Sequence, residues 1–373
     1  MDLRKLPGTG TAISPIGQGA TRLGTRDRHD RGTVDARIAA LRHGIARGLT
    51  YVDTAPLYGG GFSEEIVGEA LTGIRQRCFL ATKVYLDDDS DRASVRRSIR
   101  DSMRRLATDY LDLVQIHWPN PFARQEEALA GLEDAVVDGE VRHIGVSNYC
   151  AREIHEAQGY LAESRIATNQ YEFNLLNRGI LEDHRSLAQD VLLIAYSPLN
   201  QGRLTASSKQ AAVVREIALE RGATPAQIIL SAVLADGQCV AVVRASSIGH
   251  IDDAAGALEL LLSPGELDRI RAESPAGPVF ISPDEIDLVG TAQMPPYRSL
   301  EDAQANSHLL VPSPATLAER LRKDALPMPL RVHRKADGRY IVDTYDPMDQ
   351  VKKFWAWVMA RPSEPIPVYV LES

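Results

Sequence analysis

The chain contains few cysteines, few aromatic residues and no long apolar run. It has 3 cysteines among 373 residues, and 6% of its residues are aromatic. Cys78, Cys150 and Cys239 are scattered, odd in number and without metal-ligand spacing, which excludes a disulfide framework and indicates a reducing compartment. No apolar run approaches the roughly 18 residues of a membrane helix, and no signal peptide is evident. We therefore expect a cytoplasmic protein.

Two common nucleotide-binding signatures are also missing. No Walker motif occurs. Gly8-Thr9-Gly10 begins a Rossmann-like spacing, with Asp27 or Asp30 at about the distance of its acidic residue. However, Ile13 occupies the third glycine position, and Leu6-Pro7 provides no strand leading into the glycines. A dinucleotide would have to bind at the ends of other strands.

Eight β-rich runs are present and alternate with helical stretches. They lie near residues 14–20, 51–55, 78–84, 112–118, 143–148, 166–173, 191–199 and 239–246. This alternation predicts an α/β fold, a closed (β/α)8 TIM barrel. One connecting helix is predicted from Thr33 as its cap to Gly48 at its end, with an apolar stripe at Val34, Ile38, Leu41 and Ile45.

Four polar side chains occur near the carboxyl ends of three successive predicted strands, namely Asp53, Tyr58, Lys83 and His117. Since parallel strands end at one face of a barrel, we expect these groups to converge. Charge develops on the oxygen of a carbonyl that receives a hydride, and the site must protonate it. A phenol is a weak acid with an ordinary pKa of about 10, and a neighbouring ammonium paired with a carboxylate favours its ionised form.

These requirements suggest a role for each of the four groups. We interpret Tyr58 as the acid, Lys83 and Asp53 as its tuning pair, and His117 as the residue that orients the carbonyl. Taken singly, a tyrosine after a strand or a histidine at a strand end is more often a packing residue. The combination favours carbonyl reduction.

Four segments resemble signature segments of the aldo-keto reductase family, in order and at normal spacing. They are Val52-Asp53-Thr54-Ala55-Pro56-Leu57-Tyr58-Gly59, Ala81-Thr82-Lys83, Ile116-His117-Trp118-Pro119 and Gly145-Val146-Ser147-Asn148. The resemblance covers residues 1 to about 275. It implies an NADPH-dependent reductase of small-molecule carbonyl compounds on a TIM barrel, with Asp53, Tyr58, Lys83 and His117 as its catalytic tetrad.

The resemblance also implies contacts to the nicotinamide half of the cofactor. Ser147, Asn148 and Gln170 end two strands, where polar side chains can bond the carboxamide. Tyr196 matches the aromatic residue that stacks on the nicotinamide ring, and a barrel-wall aromatic is the alternative. The pyrophosphate loop would be lined by Ser197, Leu199, Gln201 and Gly202.

The adenosine end departs from the family pattern. The residues aligned with it include Arg244, Ser246 and His250, and His250 and Ala254 replace the usual arginine and asparagine. Arg244 provides a cation for a 2′-phosphate, so NADPH is favoured, with NADH as the alternative. A solvated arginine is the other interpretation of Arg244.

A proline- and glycine-rich segment follows the predicted barrel. Ser274-Pro275-Ala276-Gly277-Pro278, Pro283 and Pro295-Pro296 read as a linker.

One barrel needs about 250 residues, so we predict a barrel domain, 1–278, and a second domain, 279–373. The second domain is predicted to be small and α+β. Its predicted elements are a helix starting at Ser313-Pro314, a hairpin turning at Asp337-Gly338, a helix with Val351, Phe354, Trp355 and Val358, and a strand, Ile366 to Leu371.

This second domain resembles the ParB/sulfiredoxin-like family. The resemblance lies in Leu310-Val311-Pro312-Ser313-Pro314, Asp337-Gly338-Arg339-Tyr340 and Ile366-Pro367-Val368. Where that family handles phosphate, this chain reads Asp343-Thr344-Tyr345-Asp346-Pro347. Acidic groups repel phosphate, and the formal net charge is −8, so no nucleic acid is expected as a partner. Substrate access, partner binding and homo-oligomerisation through this domain stay open.

Two other function classes remain. The barrel could be a nicotinamide-binding sensor or regulatory subunit with slow turnover, or the C-terminal segment could bind nucleotides or act as a kinase. The substrate itself is not predictable, although Trp118 and Asn120 are expected to shape the pocket.

Overall fold

The fold was analysed in a computed structural model of the chain. The structure describes residues 2–21, 23, 31–187, 190–200, 209–237, 239–244, 247–273, 278–290, 297–323, 325, 327–344 and 346–371. The chain divides into two compact units, residues 1–274 and 275–373. Each unit has its own sheet.

The larger unit is a closed barrel of parallel strands, which confirms the predicted fold class. An antiparallel hairpin, β1 (Arg4–Lys5) and β2 (Ala12–Ile13), precedes it. The barrel strands are β3 (Ile16–Gly19), β4 (Tyr51–Asp53), β5 (Phe79–Val84), β6 (Leu111–Ile116), β7 (Val141–Ser147), β8 (Ile166–Glu172), β9 (Leu192–Tyr196) and β10 (Val240–Arg244). The ring closes because β10 pairs in parallel with both β9 and β3.

Helices alternate with these strands. They are α1 (Arg31–Ala46), α2 (Phe62–Leu71), α3 (Arg92–Arg105), α4 (Gln125–Val137), α5 (Ala151–Gln158), α6 (Ile180–His184), α7 (Lys209–Arg221), α8 (Pro225–Gly237), α9 (Ile248–Gly256) and α10 (Pro264–Ala272). The expected cap of α1 at Thr33 is wrong, because Thr33 already lies inside this helix. The expected apolar stripe of α1 is buried or half-buried.

The core of the barrel unit has two layers, as the alternation of strand side chains requires. Val52, Leu80 and Val114 belong to a cluster with apolar residues of the helices. Tyr51, Leu113 and Ile194 belong to a second cluster, which fills the strand ring. Full burial of such a side chain contributes about 1.5–3 kcal/mol. This packing fixes which strand residues face the barrel mouth.

The smaller unit contains a five-stranded mixed sheet in the order β11-β15-β13-β14-β12. Its strands are β11 (Val279–Ile281), β12 (Ile286–Asp287), β13 (Leu330–Arg334), β14 (Tyr340–Val342) and β15 (Ile366–Leu371), and its helices are α11 (Leu300–Ala305), α12 (Pro314–Arg322) and α13 (Pro347–Ala360). The predicted start of α12 is confirmed. The Ser313 side chain accepts a hydrogen bond from the Thr316 amide and caps the helix, and Pro314 is the first residue of the helix. The predicted hairpin is confirmed as antiparallel β13 and β14.

The linker prediction is wrong for residues 279–287. Val279–Ile281 is a strand paired antiparallel with β15, and Ile286–Asp287 pairs with β14. Both are edge strands, where neighbouring prolines are tolerated because one side of the strand needs no hydrogen-bond partner.

Among the described residues, no helix has both the length and the apolarity needed to cross a membrane.

Candidate active site

The first pair at the barrel mouth is Asp53 and Lys83. Asp53 ends β4 and Lys83 is the penultimate residue of β5. Lys83 Nζ donates to Asp53 Oδ1 at 2.7 Å and Oδ2 at 2.8 Å, and to the Thr54 carbonyl at 3.0 Å. Only 1% of the Lys83 side chain and 3% of the Asp53 side chain are exposed. The pair is therefore buried and fully hydrogen-bonded.

The charge on Lys83 is maintained against its environment. Burial alone would lower the pKa of the ammonium, because it disfavours the charged form. The nearby Asp53 and Tyr58 outweigh burial, and the pKa of Lys83 is raised above its ordinary value of 10.5. The ammonium is thus fixed as a cation at neutral pH.

Tyr58 lies in the loop between β4 and α2. Its Oη accepts a hydrogen bond from Lys83 Nζ at 3.3 Å, and its backbone amide donates to the Ala55 carbonyl. The loop continues through Gly59, Gly60 and Gly61, which all have positive φ. Helix α2 begins directly after these glycines, at Phe62.

His117 directly follows β6, and its amide donates to the Val84 carbonyl at 2.8 Å. Its ring meets the Tyr58 ring edge-on, with centroids 5.8 Å apart and planes at 84°. The structure therefore brings Asp53, Tyr58, Lys83 and His117 together at one end of the barrel. Their catalytic roles remain predictions.

A second group of polar side chains lies beside His117. Asn148 Nδ2 donates to the His117 carbonyl at 3.1 Å and to Ser147 Oγ at 3.0 Å. Tyr196 Oη donates to Asn148 Oδ1 at 2.9 Å, and Ser147 Oγ donates to the Gln170 carbonyl at 2.9 Å. The Asn148 backbone has φ +65°, a conformation that asparagine tolerates better than most residues. Four predicted cofactor residues are thus connected to the tetrad by hydrogen bonds.

The other predicted cofactor residues are more dispersed. Ser197 has φ +52° and follows β9, and Leu199 is half-buried in the same loop. Arg244 is the exposed last residue of β10, and His250 is exposed in the first turn of α9, where its amide donates to Ser247 Oγ. Gln201, Gly202 and Ser246 lie outside the described residues.

Sequence reasoning missed a buried carboxylate beside the tetrad, that of Glu64. It accepts hydrogen bonds from Thr82, next to Lys83 on β5, and from Arg105 at the end of α3. An acidic residue in a first helical turn is usually explained by the helix dipole. Nothing in the sequence paired Glu64 with Thr82 or Arg105.

The cysteines are not candidate nucleophiles. Cys78, Cys150 and Cys239 are free and buried. Burial raises the pKa of Cys78 and Cys150 to about 11 and that of Cys239 to about 12. Thiols in such surroundings stay protonated and inert.

Among the described residues, no cluster of side chains could hold a metal ion.

Comparison with known proteins supports the family suggested by the motifs. A model of the Aldo/keto reductase family matches residues 15–274. The chain belongs to this family. The predicted family and enzyme class, an aldo-keto reductase with a TIM barrel, are confirmed.

Several curated relatives and solved structures are similar to the barrel unit. Methylglyoxal reductase YeaE of Escherichia coli strain K12 is 38% identical over 268 residues, covering 71% of this chain and 92% of that protein. Aldo-keto reductase YhdN of Bacillus subtilis strain 168 is 34% identical over 218 residues, 55% of this chain and 64% of that protein. An aldo/keto reductase from Klebsiella pneumoniae, solved in complex with NADP and acetate, is 34% identical, with a TM-score of 0.67 over 74% of this chain and 97% of that chain.

Proposed function

We propose that this aldo-keto reductase uses NADPH to reduce an aldehyde or a ketone to an alcohol, with Tyr58 as the proton donor. One observation carries the assignment of roles. Lys83 Nζ donates simultaneously to the Asp53 carboxylate and to the Tyr58 phenol. A fixed ammonium next to a phenol stabilises the phenolate that remains after proton transfer.

The residues around Tyr58 complete the proton-donating site. Asp53 holds the ammonium in place and keeps it charged. The ring of His117 packs against Tyr58, where an imidazole can donate a hydrogen bond to the carbonyl oxygen and orient it toward the phenol. Tyr58 then gives its proton to the oxygen on which negative charge develops.

The donor set beside the tetrad fits a nicotinamide. Ser147, Asn148 and Gln170 provide hydroxyl and amide groups suited to a carboxamide, and Tyr196 provides an aromatic face. Arg244, Ser246 and His250 would meet the adenosine end, and Ser197, Leu199, Gln201 and Gly202 the pyrophosphate. Bound NADPH would supply the hydride for the carbonyl carbon. Its use is supported by family membership and by relatives solved with NADP or NADPH.

We propose small aldehydes as the first substrates to test. Three curated relatives are named methylglyoxal reductases, and they are 38%, 32% and 31% identical to this chain. Trp118 and Asn120 lie one and three residues after His117, in the loop after β6. Asn120 Nδ2 donates to the Leu86 carbonyl and to Asp88 Oδ1 and so joins two loops, which supports the proposal that Asn120 helps to shape the pocket.

The decisive variant is Tyr58→Phe, which removes only the phenolic oxygen. Reduction of methylglyoxal, measured as NADPH oxidation, should fall by about 100-fold or more in kcat. The Kd for NADPH, measured by fluorescence quenching, should stay close to that of the wild type. Full turnover by the variant would refute the assignment, and a wild type that binds NADPH without reducing any aldehyde would favour a sensor.

For the smaller unit, we propose a ParB/sulfiredoxin-like fold that serves in substrate access, partner binding or homo-oligomerisation. The support is its mixed sheet with the Ser313-Pro314 helix start and the Asp337-Gly338 hairpin. Asp343 and Asp346 follow the hairpin, so we propose no nucleic-acid partner. The three free thiols support a cytoplasmic location.

A further inference from the structure

Glu64 is buried beside the strand that carries Lys83. It is the third residue of α2, and none of its surface is exposed. Thr82 Oγ1 donates to Glu64 Oε1 at 2.6 Å, and Arg105 Nε donates to Glu64 Oε2 at 2.6 Å. Both carboxylate oxygens are therefore bonded, one to β5 and one to the end of α3.

The segment between Tyr58 and Glu64 needs such external contacts. Gly59, Gly60 and Gly61 have φ values of 63°, 63° and 90°. Glycine has the widest conformational freedom of all residues, so three in succession define the position of a neighbouring side chain poorly. Within the loop, the Tyr58, Phe62 and Ser63 amides donate to the carbonyls of Ala55, Gly59 and Tyr58 at 3.1, 3.4 and 3.2 Å. These bonds are local to the loop, whereas Glu64 bonds the segment to β5 and α3.

Arg105 contacts the loop at a second point. A Cβ added to Gly61 would lie 2.7 Å from Arg105 Cδ and 2.9 Å from Arg105 Nε, so the Gly61 backbone rests against this side chain. Arg105 Nη2 also donates to Ser102 Oγ at 3.2 Å within α3. The arginine is thus held by α3 and packs on the last glycine before α2.

We propose that Glu64 is a positioning residue for carbonyl reduction, acting together with Arg105 and Thr82. It bonds the start of α2 to β5, one residue from Lys83, and so keeps the Tyr58 phenol within hydrogen-bond distance of the Lys83 ammonium. Because none of its surface is exposed, Glu64 is not placed to touch a substrate or cofactor. This inference rests on the proposed role of Tyr58 as proton donor.

The chain contains a matched control for a buried carboxylate that bonds β5 and an arginine. Asp112, 3% exposed, accepts from the Leu80 amide of β5 at 2.9 Å and from two arginines, Arg75 and Arg142, each at 2.8 Å. Asp112 lies near the start of β6, whereas the tetrad residues come from the ends of their strands. Loss of Asp112 should therefore affect folding without disturbing Tyr58.

The experiment compares Glu64→Gln and Asp112→Asn in the full chain. Both variants should lower Tm, because Glu64→Gln leaves Arg105, and Asp112→Asn leaves Arg75 and Arg142, without a buried carboxylate. Glu64→Gln should also lower kcat for methylglyoxal by about tenfold or more, since small displacements of a catalytic group are costly. The Kd for NADPH should not change in either variant, and Asp112→Asn should keep the wild-type kcat.

A paired variant separates positioning from folding. Glu64→Met combined with Arg105→Leu replaces both charges by apolar groups, which often restores stability. It should recover Tm relative to Glu64→Gln while kcat stays low, because the bond to Thr82 is absent. Recovery of kcat together with Tm would overturn the inference.

Hydrogen exchange tests the same inference without turnover. The amides of residues 54–63 should exchange faster in Glu64→Gln than in the wild type, and at the wild-type rate in Asp112→Asn. Equal kcat in the two variants, or unchanged exchange in this segment, would overturn the positioning role. By contrast, full activity of Tyr58→Phe would refute the proposed function, and exchange would still show whether Glu64 holds the loop.

Discussion

Lys83 illustrates how a single residue combines stability and chemistry. Its ammonium is 1% exposed and yet carries a charge, since Asp53 and the Thr54 carbonyl take the place of water around it. A buried charge without such partners would be strongly disfavoured. The same contacts orient Nζ toward Tyr58.

Replacing Lys83 by methionine should reduce both activity and stability. We expect kcat to fall by about 100-fold and the free energy of unfolding by about 3 kcal/mol, because the Asp53 carboxylate stays buried without its partner. Chemical denaturation and NADPH oxidation measure the two effects. Adding Asp53→Asn should recover much of the stability and none of the activity.

The contribution of Lys83 to stability should depend on pH in one direction. Its pKa is raised in the folded protein above 10.5, so the contribution is present in full below that pH. It is lost as the pH rises through the folded-state pKa. The stability difference between wild type and Lys83→Met should therefore be constant from about pH 7 to 9 and shrink above about pH 10.5. A difference that grows as the pH rises above about 10.5 would contradict this assignment.

The convergence of Asp53, Tyr58, Lys83 and His117 was predictable from sequence, because each lies at or just after the end of a recognisable strand, and parallel strands end at one face. Glu64 was not predictable, because its partners Thr82 and Arg105 come from other elements and only packing brings them together. The same holds for the hydrogen bond from Tyr196 to Asn148, which depends on the distance between β9 and the end of β7.

At the scale of elements, the glycine loop before α2 makes the sharpest prediction. Gly60→Ala should cost about 1–2 kcal/mol of stability, because alanine is disfavoured at φ +63°. No collision adds to this cost, since no atom lies within 4 Å of the added Cβ. Gly61→Ala should cost about 2–4 kcal/mol, because its Cβ also collides with Arg105. Urea denaturation gives both values.

Activity should separate the two glycine variants further. The collision at Gly61 displaces the arginine that bonds Glu64, so kcat should fall more in Gly61→Ala than in Gly60→Ala. Equal losses of stability in the two variants would show that Arg105 moves aside without cost.

The barrel strands were predictable because their β-rich runs alternate with helical segments. The strands β11 and β12 were missed, since three and two residues among prolines and acidic residues give too short a pattern. Their pairing depends on the neighbouring β15 and β14, which lie far along the chain. Short edge strands of this kind are defined by the sheet they join.

For the whole molecule, the two units can be tested separately. The tetrad and both barrel core clusters consist of residues before 243. A chain of residues 1–278 should therefore unfold cooperatively and keep the kcat of the full chain, measured by calorimetry and NADPH oxidation. A higher KM would assign substrate access to the smaller unit. Fewer protomers per particle than in the full chain, measured by light scattering, would assign oligomerisation to it. Loss of kcat or of cooperative unfolding would contradict an autonomous barrel.

The closed strand ring restricts how ligands can enter this enzyme. Asp53, Lys83 and His117 come from β4 to β6, and Asn148 and Tyr196 come from β7 to β9. Backbone hydrogen bonds join these two arcs directly between β6 and β7, and through β10 and β3 on the other side. They cannot swing apart as the lobes of a hinged enzyme do. Admission of a dinucleotide and departure of its spent form must therefore rely on movements of the connecting segments around a rigid rim.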